Sequence, residues 1–236
     1  MGLSFPTTRL SAIAGLRDPD RARAVRSFAR VAEAYDRPLR EHVRLKWRAT
    51  PEDARDLVQA FLAVSFERDY LAAWDPSRAS FRTFLRTCVD RFASREREAA
   101  RAQKRGGGAE VLSLDAGISE KDLAGAAIPD VEAAFERAWK QQVFQLALAS
   151  LREELLASNL PARWAVLEAY DLAEPDERPS YKAIGERLSL PVTTVTNHLS
   201  FARRELRRHV IETLRELTAN DGELRAEIRA LLGETP

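Results

Sequence analysis

Cysteine is nearly absent from this chain: Cys88 is the single one in 236 residues, beside three histidines and one methionine. One thiol builds neither a disulfide framework nor a zinc cluster, so the sequence points to a reducing compartment, the cytoplasm. In its apolar helical stretch Cys88 reads as a small hydrophobe. No run of about 18 apolar residues occurs, which argues against a membrane-spanning helix, and the N-terminus lacks the apolar core of a signal peptide. His42, His198 and His209 are scattered, no carboxylate cluster has metal-ligand spacing, and no glycine-rich loop precedes a Lys-Ser or Lys-Thr pair. The expectation is a protein that binds rather than reacts, with no catalytic residue, metal or cofactor. Net charge is also small, +1, which speaks against a generic nucleic-acid-coating protein.

What is present is Ala, Leu, Arg and Glu in abundance with only 8% aromatics, a composition that favours helices throughout. The expected fold is all-α: two small helical domains joined by a flexible acidic linker, the C-terminal one containing a helix-turn-helix. The low net charge conceals an uneven distribution. Phe81 to Arg105 carries eight Arg or Lys against three acids, and Ser180 to His209 carries six against two. Between them, Gly106 to Glu136 holds seven acids and one lysine. Two basic modules thus flank an acidic connector. The chain divides accordingly into an N-terminal extension (1–20), a first domain (21–105), a linker (106–130), a second domain (131–217) and a helical tail (218–236).

The most informative stretch is SYKAIGERLSLPVTTVTNHLSFARRELRR, Ser180 to Arg208. Tyr181, Ile184 and Leu188 recur at helical spacing behind Ser180, an N-cap residue type. Ser189-Leu190-Pro191 then breaks the helix, and Val192, Val195, Leu199, Ala202 and Leu206 resume an apolar stripe. The outer face of this second helix is left with Thr193, Thr194, Thr196, Asn197, Ser200, Arg203 and Arg204. Short hydrogen-bonding side chains followed by guanidinium groups suit a major groove, the former reading base edges and the latter holding phosphates. An ordinary helical hairpin with a solvated face is the plainer alternative.

Upstream, Asp18-Pro19 predicts a helix running through Val25, Phe28 and Val31, and Pro38 to Trp47 a second. Thr50-Pro51-Glu52-Asp53 is a strong helix start, with an N-cap hydroxyl, proline at the first position and two acids in the first turn. That helix continues to Phe66, and a loop around Trp74 leads to another in which Phe81, Phe84, Leu85, Cys88, Val89 and Phe92 line one side. Its end is set by the triplet Gly106-Gly107-Gly108.

Three blocks in this order resemble the bacterial RNA polymerase sigma factors of the two-domain, extracytoplasmic-function type, over about residues 25 to 210. EDARDLVQAFLAVSFERDYLAAWDP is similar to that family's polymerase-binding helix, SRASFRTFLRTCVDRFASREREAARAQKRGGG to the helix that melts and reads the downstream (−10) promoter element, and the helix-turn-helix to the reader of the upstream (−35) element. The stretch AQKRGGG followed by LSLD resembles a subgroup abundant in planctomycetes. The resemblance implies promoter DNA and core RNA polymerase, through its β′ clamp helices and β flap, as partners, with an anti-sigma protein or a Ser/Thr kinase as regulator. It implies polymerase contacts at Asp53, Asp56, Gln59 and Leu62, while Leu57, Val58 and Phe61 fit a helix core equally. Ala60 stands where the family usually has glutamate, so one docking charge is missing; Glu52 and Asp53 compensate in part, and Thr50 or Ser65 are candidates to carry a phosphate. For the melted element it implies Trp74, Arg82, Phe84, Arg91, Arg95, Arg97, Lys104 and Arg105, since unstacked bases need aromatic surfaces and a displaced strand needs cations. The phenylalanines have the spacing of a core stripe as well. A stand-alone transcriptional regulator, or an adaptor that binds polymerase or a kinase without specific DNA, would account for parts of the same pattern.

Overall fold

The computed structural model describes residues 11–104 and 128–233, with Lys104 followed only along its backbone. Among these residues the regular structure is entirely helical, in two clusters, and no strand occurs. None of the described helices is long and apolar enough to cross a membrane. In order they are α1 (Ala12–Gly15), α2 (Arg21–Trp47), α3 (Pro51–Glu67), a 3-10 turn (Tyr70–Ala73), α4 (Phe81–Lys104), α5 (Pro129–Ala157), α6 (Pro161–Asp171), a second 3-10 turn (Pro175–Glu177), α7 (Tyr181–Leu188), α8 (Val192–Glu216) and α9 (Asp221–Leu232). The expected linker lies outside the described residues apart from its last three, of which Pro129 already begins α5.

The chain packs as two units. The described residues up to Gln142 join those from Glu216 to Gly233, and Val143–Arg215 form the other. Residues 129–142 and the tail helix α9 thus cluster with the first unit. The cause is apolar and ionic together: Phe135 and Trp139 of α5 are fully buried, Phe135 meets His42 edge-on at 6.2 Å, and Arg82 pairs with Glu136 of α5 and Glu227 of α9.

In the first unit, Asp20 caps α2 by accepting from the N–H groups of Ala22 and Arg23. The helix then runs unbroken to Trp47 with Pro38 inside it, where the sequence suggests two helices. An interior proline costs about 3 kcal/mol. Burial of Val31, Ala34, Tyr35, Leu39, His42 and Val43 along one face offsets that cost, at about 1.5–3 kcal/mol for each large apolar side chain. Helix α3 starts as its sequence predicts: Thr50 Oγ1 accepts from Asp53 N at 3.1 Å, Pro51 opens the first turn, and Ala54, Val58, Phe61 and Ser65 form the buried stripe. Asp90 of α4 ties down the end of α2, accepting from His42 Nε2 (2.9 Å), Lys46 Nζ (2.7 Å) and Trp47 Nε1 (2.8 Å). Cys88 is buried in this core, and burial raises its thiol pKa far above the ordinary value, leaving it inert.

The core of the second unit is Leu148, Leu151 and Leu155 of α5, Val166 and Leu167 of α6, Ile184 of α7, and Val195, Leu199 and Ala202 of α8. Three helices thereby hold the inner side of α8 and leave its outer side to solvent.

Candidate nucleic-acid interface

The second unit builds its exposed face from local chemistry. Ser180 caps α7, accepting from Ala183 N at 3.2 Å, as its residue type suggests. At the other end Ser189 takes left-handed backbone (φ 55°), and the N–H groups of Ser189 and Leu190 both reach the Gly185 carbonyl, the second at 2.9 Å. The Pro191 carbonyl then accepts from Thr194 N and Val195 N, starting α8 without asking the proline for a donor. This turn brings its own backbone so close to α7 that a Cβ on Gly185 would stand 2.6 Å from the Leu190 oxygen and 3.7 Å from Val195 Cγ2. Only glycine fits there. It is the residue that sets the angle between α7 and α8, and its only signal in the sequence is a glycine inside an otherwise regular helical pattern.

With Val195, Leu199 and Ala202 turned inward, Thr193, Thr196, Asn197, Ser200, Arg203 and Arg204 are exposed, and Thr194 is half-buried. Thr196 spends its hydroxyl proton on Val192 O (3.1 Å), leaving its oxygen and methyl outward. The two arginines differ. Arg203 is locked to Asp171 by two bonds, Nε to Oδ2 at 2.8 Å and Nη2 to Oδ1 at 2.7 Å, and this pair holds its pKa above the ordinary value. Among the described residues the carboxylate paired with Arg204 is that of Glu205, at 3.5 Å, and the arginine is two-thirds exposed (67%). Arg208 is engaged by Glu154, Glu205 and Glu212. Of the two arginines expected to hold phosphates, Arg203 thus has a bidentate carboxylate partner and Arg204 is the more open.

In the first unit several residues expected at the melted element are interior. Trp74 is 7% exposed, donates from Nε1 to the Ala79 carbonyl at 2.9 Å and meets Phe81 edge-on at 5.3 Å. Phe84 is 6% exposed beneath Tyr70, whose ring is stacked 6.3 Å away. Arg82 lies 4.1 Å over the Trp139 ring, paired with Glu136 at 3.3 Å and with Glu227 of α9. Burial works against its charge, but the two carboxylates outweigh burial and raise its pKa. Trp74 and Phe84 thus pack as part of the core, whereas Arg82 is half-buried and engaged by carboxylates of α5 and α9. Arg91 and Arg95 are half-buried beside Tyr70, where burial raises the phenol pKa and their charges oppose the rise. Arg97 is exposed, bonds the Trp47 carbonyl and lies 4.8 Å over that indole. The Lys104 side chain and Arg105 lie outside the described residues.

On α3, Asp53, Asp56 and Gln59 are exposed on the side away from the buried stripe, with Ala60 among them and Leu62 half-buried. Val58 and Phe61 are core, and Leu57 is half-buried. Of the two hydroxyls considered for phosphate, Ser65 is fully buried and thereby withdrawn from a kinase, whereas Thr50 is exposed and also donates to Asp53 Oδ2 at 2.8 Å.

No family model, no curated protein and no solved structure matches this chain. Among the described residues, no group of three or more His, Cys, Asp or Glu is placed to hold a metal ion.

Three further residues belong to these surfaces that the sequence pattern does not single out. Tyr70 and Trp47 are half-buried aromatics beside arginines of α4, and Arg163 of α6 lies 3.7 Å over the ring of Phe201 on α8. Each depends on contacts between separate helices, for which the sequence carries no periodic signal.

Proposed function

We propose that this chain is a promoter-recognition subunit of a bacterial RNA polymerase, a sigma factor of the extracytoplasmic-function type working in the cytoplasm. The observation that carries this reading is the α7–turn–α8 unit: a glycine-tight crossing, a left-handed turn at Ser189, and a single outward face of Thr193, Thr196, Asn197, Ser200 and Arg204. A face of that width and chemistry suits the major groove of the upstream element, with the hydroxyl and amide groups at its N-terminal part reading base edges. The polymerase is the proposed partner of the exposed Asp53, Asp56 and Gln59 on α3. Two individually weak DNA contacts held on one enzyme reinforce each other through effective concentration. Run-off transcription with purified core polymerase tests the reading: transcripts that require this chain are expected, and Ala60→Glu is expected to strengthen its hold on polymerase. Silence from both proteins across a pool of promoters rejects it.

A second reading is favoured by the burial of Trp74 and Phe84 and the carboxylate partners of Arg82, which leave these groups less open to melted DNA. In it the chain is a stand-alone helix-turn-helix regulator. Mobility shifts on duplex promoter DNA separate the two, because a sigma factor requires polymerase for specific retention and a regulator does not.

A further inference from the structure

The cationic surface of the second unit extends beyond α8. Arg163, in the first turn of α6, places its guanidinium carbon 3.7 Å from the ring centre of Phe201, and Arg204 places its own 5.1 Å from the same ring. Phe201 thus carries two guanidinium groups from two helices. Arg163 makes no ion pair among the described residues, and its Nε is buried without a hydrogen-bond partner. Next to it, His198 Nδ1 is likewise buried and unpartnered. A guanidinium N–H withdrawn from water and left unbonded is costly. The single carboxylate near Arg204, Glu205 at 3.5 Å, is already held by Arg208 at 2.9 Å. Arg203 presents the opposite case, with both of its facing N–H groups satisfied by Asp171.

We propose that Arg163 and Arg204, set against Phe201, form a clamp for one phosphodiester of duplex DNA beside the groove entered by α8, and that Arg203 stands outside it. The inference rests on the reading of this unit as a duplex-binding helix-turn-helix and names the residues of its backbone contact. The ring restrains each cation, while their planar forks match the oxygens of a phosphate. A phosphodiester supplies the negative charge that the cluster lacks. Because Arg163 comes from α6 and Arg204 from α8, the contact also fixes how α8 is seated on the duplex, without reading sequence.

The test is binding of the full chain to a mixed-sequence DNA duplex, followed by fluorescence anisotropy over a series of salt concentrations. Each phosphate that a variant no longer neutralises lowers the steepness of log K against log salt by about one. Arg163→Gln and Arg204→Gln are each expected to take about one from the slope, with a several-fold weaker affinity at low salt. Arg163→Lys, which keeps charge and removes the stacking plane, is expected to retain the wild-type slope, as is Arg203→Gln. A wild-type slope in Arg163→Gln, or a decrease in Arg203→Gln equal to it, overturns the clamp while leaving the helix-turn-helix reading intact. Failure of the wild-type chain to bind duplex at any salt overturns both. If Arg163→Gln fails to fold by circular dichroism, Arg163→Lys and Arg204→Gln decide: a retained slope in the first with a reduced slope in the second supports the clamp, and any other pairing overturns it.

Discussion

Helices α4 and α8 each carry several arginines, yet Arg82 and Arg86 of α4 and Arg204 of α8 have opposite surroundings. On α4, Arg82 is held by Glu136, Glu227 and the Trp139 ring, and Arg86 by Glu132 and the Phe135 ring. On α8, Arg204 is two-thirds exposed with one distant carboxylate. The acids of α5 that the sequence assigns to a connector, Glu132 and Glu136, lie one helical turn apart and meet arginines that are themselves one turn apart on α4. A basic segment is therefore a DNA-facing surface only where the fold leaves its charges unmatched. On α4 the fold spends them on joining α5 and α9 to the first unit.

The difference has its largest expected consequence in stability. Arg82→Ala removes the cation from a largely buried cluster, strands Glu227 at 14% exposure and takes the stacking partner from Trp139. We expect a loss of about 3–5 kcal/mol, the usual range for breaking a buried ion pair from one side, seen as a lower urea midpoint. Arg204→Ala is expected to move that midpoint by less than about 0.5 kcal/mol, as an exposed substitution does. Equal effects would erase the contrast between the helices. Next in size is Gly185→Ala, whose new Cβ would press on the Leu190 oxygen at 2.6 Å. Since that atom is backbone, α7 and α8 must move apart, at a cost of about 2–3 kcal/mol typical of overpacking. Thermal unfolding followed by circular dichroism measures it, and an unchanged midpoint would mean that α8 is not seated through this contact.

Features of the fold encoded by neighbours in sequence are readable from the sequence itself. Thr50 before Pro51-Glu52-Asp53 and Ser180 before Tyr181 announce their helices because a cap requires only a hydroxyl and the N–H three residues later. The exposed face of α8 follows from the 3.6-residue period of Val195, Leu199 and Ala202. Pro38 misleads because its cost is offset by burial that local rules do not weigh. Arg82 and Arg203 mislead more deeply. Their partners lie as far as 145 and 32 residues away, and a free cation and a matched one are the same letter. Arg163 escapes notice for the same reason in reverse, since what marks it is a contact with Phe201 combined with the lack of an ion pair among the described residues.

A third expectation concerns the acid side of α4. Burial alone would raise the Asp90 pKa, but the hydrogen bonds from His42, Lys46 and Trp47 outweigh it and hold the carboxyl below its ordinary range. A carboxylate with a lowered folded pKa contributes stability that is complete above the unfolded value of about 4 and is lost as pH falls through the lower folded value. Asp90→Asn should therefore cost about 1–2 kcal/mol at neutral pH and flatten the decline of stability below about pH 4. Urea titrations at a series of pH values check this, and an acid limb as steep in the variant as in the wild type would show that Asp90 does not carry the linkage.

The smallest expected effect separates two adjacent arginines of one helix. Arg203 and Asp171 form a bidentate pair, but the arginine side chain is half exposed, at 49%, so water and salt screen much of the attraction. Arg203→Ala should cost about 0.5–1 kcal/mol, the upper end for an exposed pair, and the loss should shrink as salt rises. A double-mutant cycle with Asp171→Asn isolates the pair from general helix effects. Coupling of that size, beside none between Arg204 and Asp171, would place the two neighbours in different roles: Arg203 fastens α8 to the end of α6, and Arg204 remains open to an external anion. Coupling near zero for Arg203 would instead leave both arginines available to DNA and would move α8 further from the pattern of α4.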